Sequence, residues 1–479
     1  MNRQPNILLI TTDQQRFDTI SALGNREIFT PHLNWLVDEG LSFTSCYSAC
    51  PLCMPARATL MTGLEAHHHG LTGNDAGVFP LQGRDTLPSV LTAAGYQTCA
   101  EGKMHFSPMR ACYGFERVDL PLDYFNEMRR YGKQTTRLHG IGENELEPVI
   151  NCMEERDTLT HWIVEKSVSF IENHDPTRPF FLWTSFSKPH PPLDPLLPYW
   201  KLYENMTLSP PVMGDWAQCG AEKKPQAFYG PTYRLNNAWR MTLEQLIQVK
   251  KAYYACITQI DYNLGLLFAR MRELSLLENT WIIFTADHGD MLGDHGMGAK
   301  YHHLEGSCHV PLIIKPPAVF GESVRELAGK RCEKLATLAD VMPTILSLCG
   351  VSWEGPADGV DLLRYWKQGE ERAFFGVCEN RYFAAMNHGI KYLRSNCNDD
   401  ELLFDLNHDP QELYDLSKDS QYAQEKERLN EFLLARIAEV DGSLVENGRL
   451  RIKECLNDPR EVSRFPGLNT TVFPRDSIH

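Results

Sequence analysis

Short apolar runs alternate with longer amphipathic stretches over the first three-quarters of this chain. Four runs are rich in apolar side chains, at residues 6–12, 179–186, 280–286 and 310–314. Continuous runs of this length are typical of strands buried on both faces, as in a parallel sheet covered by helices. They therefore predict the strands of a central sheet.

Between these runs, apolar residues recur at the spacing of an amphipathic helix. The predicted helices span residues 86–94, 154–173, 243–274 and 338–348. Gly95 follows the first of them and Gly350 follows the last, and glycine commonly ends a helix. Strands that alternate with helices indicate an α/β layered fold.

The pattern changes after about residue 370. Residues 373–380, 382–395 and 401–417 resemble short antiparallel strands with turns between them, and residues 423–440 form one amphipathic helical pattern. We therefore expect a catalytic domain over residues 1–370. A smaller α+β subdomain with an antiparallel sheet, one helix and an irregular tail is expected over residues 371–479.

The amino-acid composition and net charge limit the kinds of molecule that the protein is expected to bind. The chain has 479 residues, 43% of them hydrophobic, and a net charge of −15. This charge argues against binding of nucleic acid or of an anionic membrane, although a local cationic pocket can still take a small anion. We find no signal peptide and no apolar run long enough to span a membrane, so a cytoplasmic location is expected. Most of the 14 scattered cysteines are expected to be buried, reduced thiols.

Two pairs of polar residues follow predicted strands. Asp13 and Gln14 end the first run, and Asp287 and His288 end a later one. In α/β sheets, ligands bind beyond the carboxyl ends of the strands. Each pair alone also fits a cap or a turn, but together they predict a divalent metal site of two carboxylates, an amide oxygen and an imidazole.

The stretch YSACPLCMPARATLMTG, residues 47–63, leaves the role of its thiols open. Cys50 and Cys53 have the CxxC spacing of zinc or redox sites, and a disulfide is a third alternative. Pro55 suits the first turn of a helix, so Cys53 lies at or just before the helix N-terminus. That position favours an anion and lowers the pKa of a thiol, and Arg57 adds donors one turn further on.

Three further cationic segments follow strand-like sequence or the Asp287–His288 pair. Their candidate residues are Lys103, His105, His190 and Lys300. Each of them, taken alone, also fits a surface lysine or a histidine bonded to backbone.

The segment CMPARATLMTG, from Cys53 to Gly63, resembles the signature of the sulfatase family, Cys/Ser-x-Pro/Ala-x-Arg followed by a short helix and Thr-Gly. Four other stretches resemble family segments in the same order: NILLITTDQQRFD, TPHLNWLVDEGLSFTSCYS, TLPSVLTAAGYQTCAEGKMHF and TADHGDMLGDHGMGAK. The resemblance covers most of the chain. It implies an alkaline-phosphatase-like α/β/α sandwich with a large mixed sheet and a smaller C-terminal sheet subdomain.

The resemblance also implies how Cys53 is used. In such enzymes a formylglycine-generating maturation enzyme converts this cysteine to formylglycine (3-oxoalanine), and the hydrated aldehyde is the nucleophile. The resemblance implies that the modified residue binds a divalent cation, usually calcium, together with Asp13, Gln14, Asp287 and His288. Cys46 and Cys50 are then expected to be structural.

The remaining roles are carried over in the same way. Arg57 holds the formylglycine, and Lys103 and Lys300 neutralise the sulfate oxygens. His190 protonates the leaving alcohol, and His105 hydrogen-bonds the second hydroxyl of the hydrate.

The match has three departures from the family pattern. Gln14 stands where many members have Asp, and His288 stands where many have Asn. Because manganese and zinc accept imidazole, both stay open as alternatives to calcium. The same two residues keep a phosphonate monoester or phosphodiester hydrolase open. His309 replaces an expected arginine, with no consequence that the sequence reveals.

The substrate is expected to be a small sulfated sugar or a fragment of a glycosaminoglycan. Further residues expected to contact it are Asn74, His302, His303 and Arg381. A different class of protein, a non-catalytic binder of sulfated ligands whose cysteine is never converted, is the remaining alternative.

Overall fold

The computed structural model describes residues 4–74, 81–133, 144–218, 225–318, 326–368 and 370–453. Its strands are β1 Asn6–Asp13, β2 Leu41–Phe43, β3 Cys46–Tyr47, β4 Gln97–Gly102, β5 Arg117–Asp119, β6 Phe180–Pro189, β7 Thr280–Ala286, β8 Leu312–Lys315, β9 Lys330–Cys332, β10 Ala336–Thr337, β11 Phe374–Cys378, β12 Tyr382–Asn387, β13 Ile390–Ser395, β14 Glu401–Asp405, β15 Val445–Glu446 and β16 Arg449–Leu450.

The α-helices of the described residues are α1 Pro31–Glu39, α2 Cys53–Thr62, α3 Ala66–His69, α4 Leu87–Ala93, α5 Pro121–Arg130, α6 Leu159–Asn173, α7 Leu197–Tyr203, α8 Gln226–Leu235, α9 Leu243–Glu273, α10 Glu305–Cys308, α11 Val341–Leu348, α12 Leu362–Gln368 and α13 Ala423–Val440. None of them is both long and apolar enough to cross a membrane.

A mixed sheet in the order β5-β4-β6-β1-β7-β8-β2-β9 forms the centre of the molecule. Only β8 among these strands runs antiparallel to its neighbours. Ile7 and Leu9 of β1 pack with α2, α4, α11 and α12, while Leu8 and Ile10 pack with α1, α5, α6 and α9. The predicted α/β/α sandwich with a large mixed sheet is therefore confirmed.

The C-terminal part contains the expected small sheet. Its strands pair in the antiparallel order β11-β12-β13-β14, and α13 covers them with Leu429, Leu433 and Ile437. The same apolar cluster includes Tyr47 and Leu52, next to the start of α2. The sheet is thus packed directly behind the segment that carries Cys53. The division at residue 370 stays a prediction, and the predicted irregular tail lies mostly outside the described residues.

Some element boundaries differ from the predicted ones. The helix predicted over 154–173 begins at Leu159, because residues 155–157 form a 3₁₀ turn and the Thr158 side chain caps the helix. Residues 338–340 likewise form a 3₁₀ turn before α11. β8 begins at Leu312, two residues later than predicted, since the Val310 N–H donates to the Cys46 carbonyl outside the main sheet.

Candidate active site

Three elements bring the predicted metal residues together. β1 and β7 are parallel neighbours with Thr12 opposite Ala286, so Asp13 and Asp287 leave the sheet side by side. Cys53 is the first residue of α2, which lies on the same edge. The ligand atoms of Asp13, Cys53, Asp287 and His288 all lie within 4.8 Å of one another, and all four residues are buried.

His288 is oriented by its backbone. Its Nδ1–H donates to the Gly289 carbonyl at 2.9 Å, which leaves the Nε2 lone pair facing the site. Nε2 lies 3.2 Å from the Cys53 Sγ and 3.9 Å from Asp13 Oδ1. Nε2 is therefore the ring atom that faces the site, as in a histidine that binds a metal.

Arg57 lies behind this cluster and is fully buried. Its Nε donates to Asp287 Oδ2 at 2.9 Å, and its Nη1 donates to Ser185 Oγ at 2.8 Å and to the Lys103 carbonyl. Nη2 is 3.6 Å from Asp13 Oδ2. Arg57 therefore joins three strand ends as well as reaching the site.

The charges around Cys53 favour its ionised form. Burial and the carboxylate of Asp13 both oppose ionisation, but Lys103, Lys300 and His288 together hold the pKa of the thiol well below its ordinary value. The Lys103 ammonium bonds Asp13 Oδ2 and lies 3.9 Å from the thiol. A nucleophile made at this position has a strongly cationic surrounding.

The two carboxyl groups have opposite pKa shifts. Burial raises the pKa of both, but in Asp13 the charge of Lys103, joined by those of Arg57 and His288, outweighs burial and lowers it. In Asp287, burial and the charge of Asp13 raise the pKa despite His288 and Arg57. A divalent cation between them would favour ionisation of both groups.

Gln14 and Lys300 meet on one side of the cluster. The Lys300 Nζ donates to Gln14 Oε1 at 2.5 Å, and the Gln14 Nε2 donates to Asp290 Oδ2. Gln14 has φ 71, a backbone conformation that residues with a side chain seldom adopt. Gln14 as a metal ligand stays a prediction.

His190 lies against the same lysine. Its Nδ1–H donates to the Pro191 carbonyl at 2.7 Å, and its Nε2 is 3.2 Å from the Lys300 Nζ. Burial and then the charge of Lys300 lower the pKa of His190 to about 3. In this arrangement the imidazole is neutral, and its Nε2 accepts a hydrogen bond from the ammonium.

His105 approaches Cys53 from the end of β4. Its φ is 57, and its side chain interacts with the thiol. Burial and the charge of Lys103 lower the pKa of His105, which keeps the ring neutral. His105 Nδ1 has no hydrogen-bond partner among the described residues.

The structure gives the predicted substrate residues different surroundings. Asn74 Oδ1 accepts the Met54 N–H at 3.0 Å and so caps α2. Arg381 is half-buried in the turn between β11 and β12, and the neighbouring Glu379 N–H donates to the Thr72 carbonyl at 2.6 Å. The turn therefore lies against the segment that leads to Asn74, at the rim of the site.

The two histidines after Lys300 are fully buried. His303 Nε2 lies 3.0 Å from the Ala49 carbonyl, whereas neither ring nitrogen of His302 has a hydrogen-bond partner among the described residues. Burial lowers the pKa of His302 to about 3. Contact of either with a substrate stays a prediction. Cys46 and Cys50 are free and buried, as expected, whereas Cys397 is in a disulfide.

Sequence reasoning missed residues that support the site from behind. Ser185 lies one residue before the end of the second predicted strand and bonds Arg57, and Asp290 lies inside the quoted TADHGDMLGDHGMGAK segment. His309, the unexplained departure, stacks on Phe17 with ring centroids 4.1 Å apart, and its Nδ1 lies 2.7 Å from Glu305 Oε2. The end of a predicted strand could have pointed to Ser185, and the motif itself could have pointed to Asp290.

A family model for sulfatases matches residues 5–351. The chain belongs to the sulfatase family. It is 32% identical over 472 residues to an arylsulfatase of Clostridium perfringens, a match that covers 92% of this chain and 95% of the relative. The family assigns it to the sulfuric ester hydrolases.

Solved structures agree on the fold. A phosphonate monoester hydrolase of Agrobacterium radiobacter superposes with a TM-score of 0.76 at 25% identity, covering 91% of this sulfatase and 96% of that chain. A protein in complex with its substrate D-glucosamine-2-N,6-O-disulfate superposes with a TM-score of 0.72 at 21% identity, covering 92% and 99%. Both share the architecture described above.

Members of the family generally use a metal ion and formylglycine, and the residues here fit both. The donor set of two carboxylates and one imidazole converges on a volume small enough for a single ion. Cys53 lies in the same cluster, at the first position of α2.

Proposed function

We propose that this sulfatase hydrolyses a sulfate monoester of a small sugar by way of formylglycine made from Cys53. The observation that carries the proposal is the convergence of Cys53, the acidic ligands and the two lysines on one buried point. Formylglycine supplies a hydrated aldehyde as nucleophile, and the cation supplies Lewis-acid polarisation of the sulfate. A formylglycine-generating enzyme is the partner that conversion requires.

The residues around the site have different roles according to their charge. Asp13, Asp287 and His288 hold the cation, with Gln14 as a fourth proposed ligand. Calcium is the first choice because oxygen donors predominate, while the imidazole admits manganese or zinc. Lys103 and Lys300 bind the sulfate oxygens and stabilise the negative charge that develops in the transition state.

Proton transfer falls to the histidines. When sulfate draws the Lys300 ammonium away, His190 Nε2 can carry the proton that the leaving alcohol needs, since its Nδ1–H is already committed to Pro191. His105, kept neutral beside Cys53, accepts a hydrogen bond or proton from the nucleophile's second hydroxyl.

A sugar substrate, and more specifically a glycosaminoglycan fragment, is proposed from two supports. The structural neighbour described above was solved with a disulfated glucosamine, and another with a TM-score of 0.71 is a 2-O sulfatase of glycosaminoglycans. At the rim, Arg381 and Asn74 lie where further polar groups of a saccharide would pass.

A phosphonate monoester or phosphodiester hydrolase is the second candidate. It is favoured by Gln14 and His288, the two departures from the common sulfatase pattern, and by the likeness to the phosphonate monoester hydrolase.

Anion release tests both candidates. The protein is co-expressed with a formylglycine-generating enzyme, and conversion is confirmed by peptide mass. It is then incubated with sulfated mono- and disaccharides, an aryl sulfate, an aryl phosphonate and a phosphodiester, with Cys53→Ala as the blank. Sulfate release from one sugar supports the proposal and identifies the position. Phosphorus-ester cleavage without sulfate release overturns it in favour of the second candidate.

A further inference from the structure

Asp290 is a buried carboxylate next to the site, and the motif analysis gave it no role. It lies between β7 and Lys300 and is 1% exposed. Its Oδ1 accepts the N–H groups of Leu292 at 2.8 Å and Ala299 at 3.1 Å. Its Oδ2 accepts from the Gln14 side-chain amide. One carboxylate thus holds a side chain from β1 and the backbone just before Lys300.

The Gln14 amide has only one favourable orientation between its neighbours. A carboxylate only accepts hydrogen bonds and an ammonium only donates them. Nε2 must therefore face Asp290, and Oε1 must face Lys300, whose Nζ is 2.5 Å away. If the amide turned over, two donors would meet at Lys300 and two acceptors would meet at Asp290.

The residues on either side of Lys300 have an uncommon backbone conformation that a hydrogen bond must hold in place. Ala299 has φ 66 and Tyr301 has φ 96, a region that residues with a side chain seldom adopt. The hydrogen bond from Ala299 N–H to Asp290 Oδ1 holds the first of these residues. Without it, the peptide that presents Lys300 is free to relax to a more common conformation.

We infer that Asp290 is a positioning residue. It sets the orientation of the Gln14 amide and fixes the backbone before Lys300, so that the ammonium is aimed at the anion in the site. The inference rests on the proposed function only in taking sulfate as that anion.

The substitution Asp290→Asn tests this with little change of shape. The introduced amide oxygen can still accept from Leu292 and Ala299, but the introduced amide nitrogen now faces Gln14, which must turn and present Nε2 to Lys300. We expect kcat/KM, expressed per formylglycine-converted and metal-loaded enzyme, to fall about 10- to 100-fold. Inorganic sulfate, titrated calorimetrically into the loaded enzyme, is expected to bind about tenfold more weakly.

Asp294→Asn is the matched control. Asp294 is also a buried carboxylate of this segment, but it pairs with Arg16 at 2.7 Å and accepts the Val212 N–H at 2.9 Å. In this variant, kcat/KM and the affinity for inorganic sulfate are each expected to change by less than about threefold. Equal losses in the two variants overturn the inference.

Exchanging the carboxylate and the amide between positions 290 and 14 should restore part of the lost activity. In Asp290→Asn with Gln14→Glu, the new amide donates to the new carboxylate, and Lys300 again meets an acceptor. If the two substitutions acted independently, their fold-losses in kcat/KM would multiply. We expect the kcat/KM of the double variant to be at least about tenfold higher than that product predicts. Absence of this coupling overturns the inference.

Two results would call for a different measurement: a variant that does not fold, and a wild type that releases no sulfate. If Asp290→Asn does not fold, Gln14→Met removes the same acceptor from Lys300 while leaving Asp290 intact, and an unchanged sulfate affinity in it contradicts the inference. If the wild type releases no sulfate, the proposed function fails, and the same comparison is made on the phosphorus ester that the wild type cleaves.

Discussion

Two of the buried clusters of charge in the described part of the chain differ in how completely their charges are paired. We call the second one the Lys391 cluster, made of Lys391, Glu305 and Glu412. The Lys391 Nζ lies 2.6 Å from an oxygen of each glutamate and 2.9 Å from the His303 carbonyl. Lys391 is fully buried on β13 and holds the small sheet to the segment after Lys300.

The cluster around Cys53 is less complete. Arg57 Nη2 and His105 Nδ1 are buried without a hydrogen-bond partner among the described residues. Glu412 Oε1 of the Lys391 cluster also lacks a hydrogen bond of good geometry, but it lies 2.6 Å from the Lys391 ammonium. Lys103 pairs with Asp13, but Lys300 contacts only the neutral side chains of Gln14 and His190 within the described part of the chain. The pKa of the Cys53 thiol is depressed beside these lysines. Complete pairing is typical of charges that hold a structure together, whereas incomplete pairing marks a place prepared for a ligand. Substitutions should therefore separate the two clusters.

The largest effect is expected from Cys53→Ala. Because the nucleophile is lost, kcat should fall on the order of 10⁵-fold. The free energy of unfolding, from denaturant titration, should change by about 2 kcal/mol or less, since the sheet and helix packing around position 53 is kept. Surviving activity in this variant would remove Cys53 as nucleophile.

Lys391→Met should show the opposite behaviour. It leaves two buried glutamates without their cation, which is expected to cost about 3–5 kcal/mol of unfolding free energy. The control is Lys426→Met, whose lysine pairs with Glu401 at 3.1 Å near the surface and should contribute less than about 1 kcal/mol. Similar losses in the two variants would mean that pairing in the Lys391 cluster adds no more stability than an ion pair near the surface.

His190→Ala should sharpen the functional side of the comparison. A general acid matters most when the leaving alcohol is a poor leaving group, so kcat on a sugar sulfate should fall about 100-fold or more. An activated aryl sulfate, which leaves without help, should lose less than about tenfold. Losses of the same size on both esters would exclude His190 as the general acid.

The smallest effect concerns a buried carboxyl outside both clusters. Glu65 accepts from the Thr337 hydroxyl at 2.8 Å, but burial raises its pKa to about 8. Its folded pKa exceeds its unfolded value, so its contribution to stability is full below about pH 4.5 and is lost as the pH rises through about 8. Glu65→Gln should therefore become more stable relative to the wild type by about 2 kcal/mol between about pH 5 and about pH 6.5.

Urea titrations of both proteins across this pH range measure the difference. A difference in unfolding free energy that stays constant with pH would show that Glu65 titrates normally.

The elements that carry the site could be predicted because their signals are local. The apolar runs before Asp13 and Asp287, and Pro55 with Gly63 around α2, are properties of a few consecutive residues. Parallel strands that end at one edge then bring the acidic pairs together. The resemblance supplied the roles that spacing alone left open.

The support of the site depended on the tertiary structure. Arg57 meets Asp287 across 230 positions, Gln14 meets Asp290 across 276, and Lys391 reaches Glu305 across 86. A buried aspartate or lysine has the same local pattern whether its partner is near or absent, because the cost of burying charge is met by residues far away in the chain. The sequence by itself determined the sheet, the helix that begins at Cys53 and the types of chemical group available. Only folding decided which of those groups are paired and which are left to meet a ligand, since that depends on distances between strand ends and loops that no local pattern records.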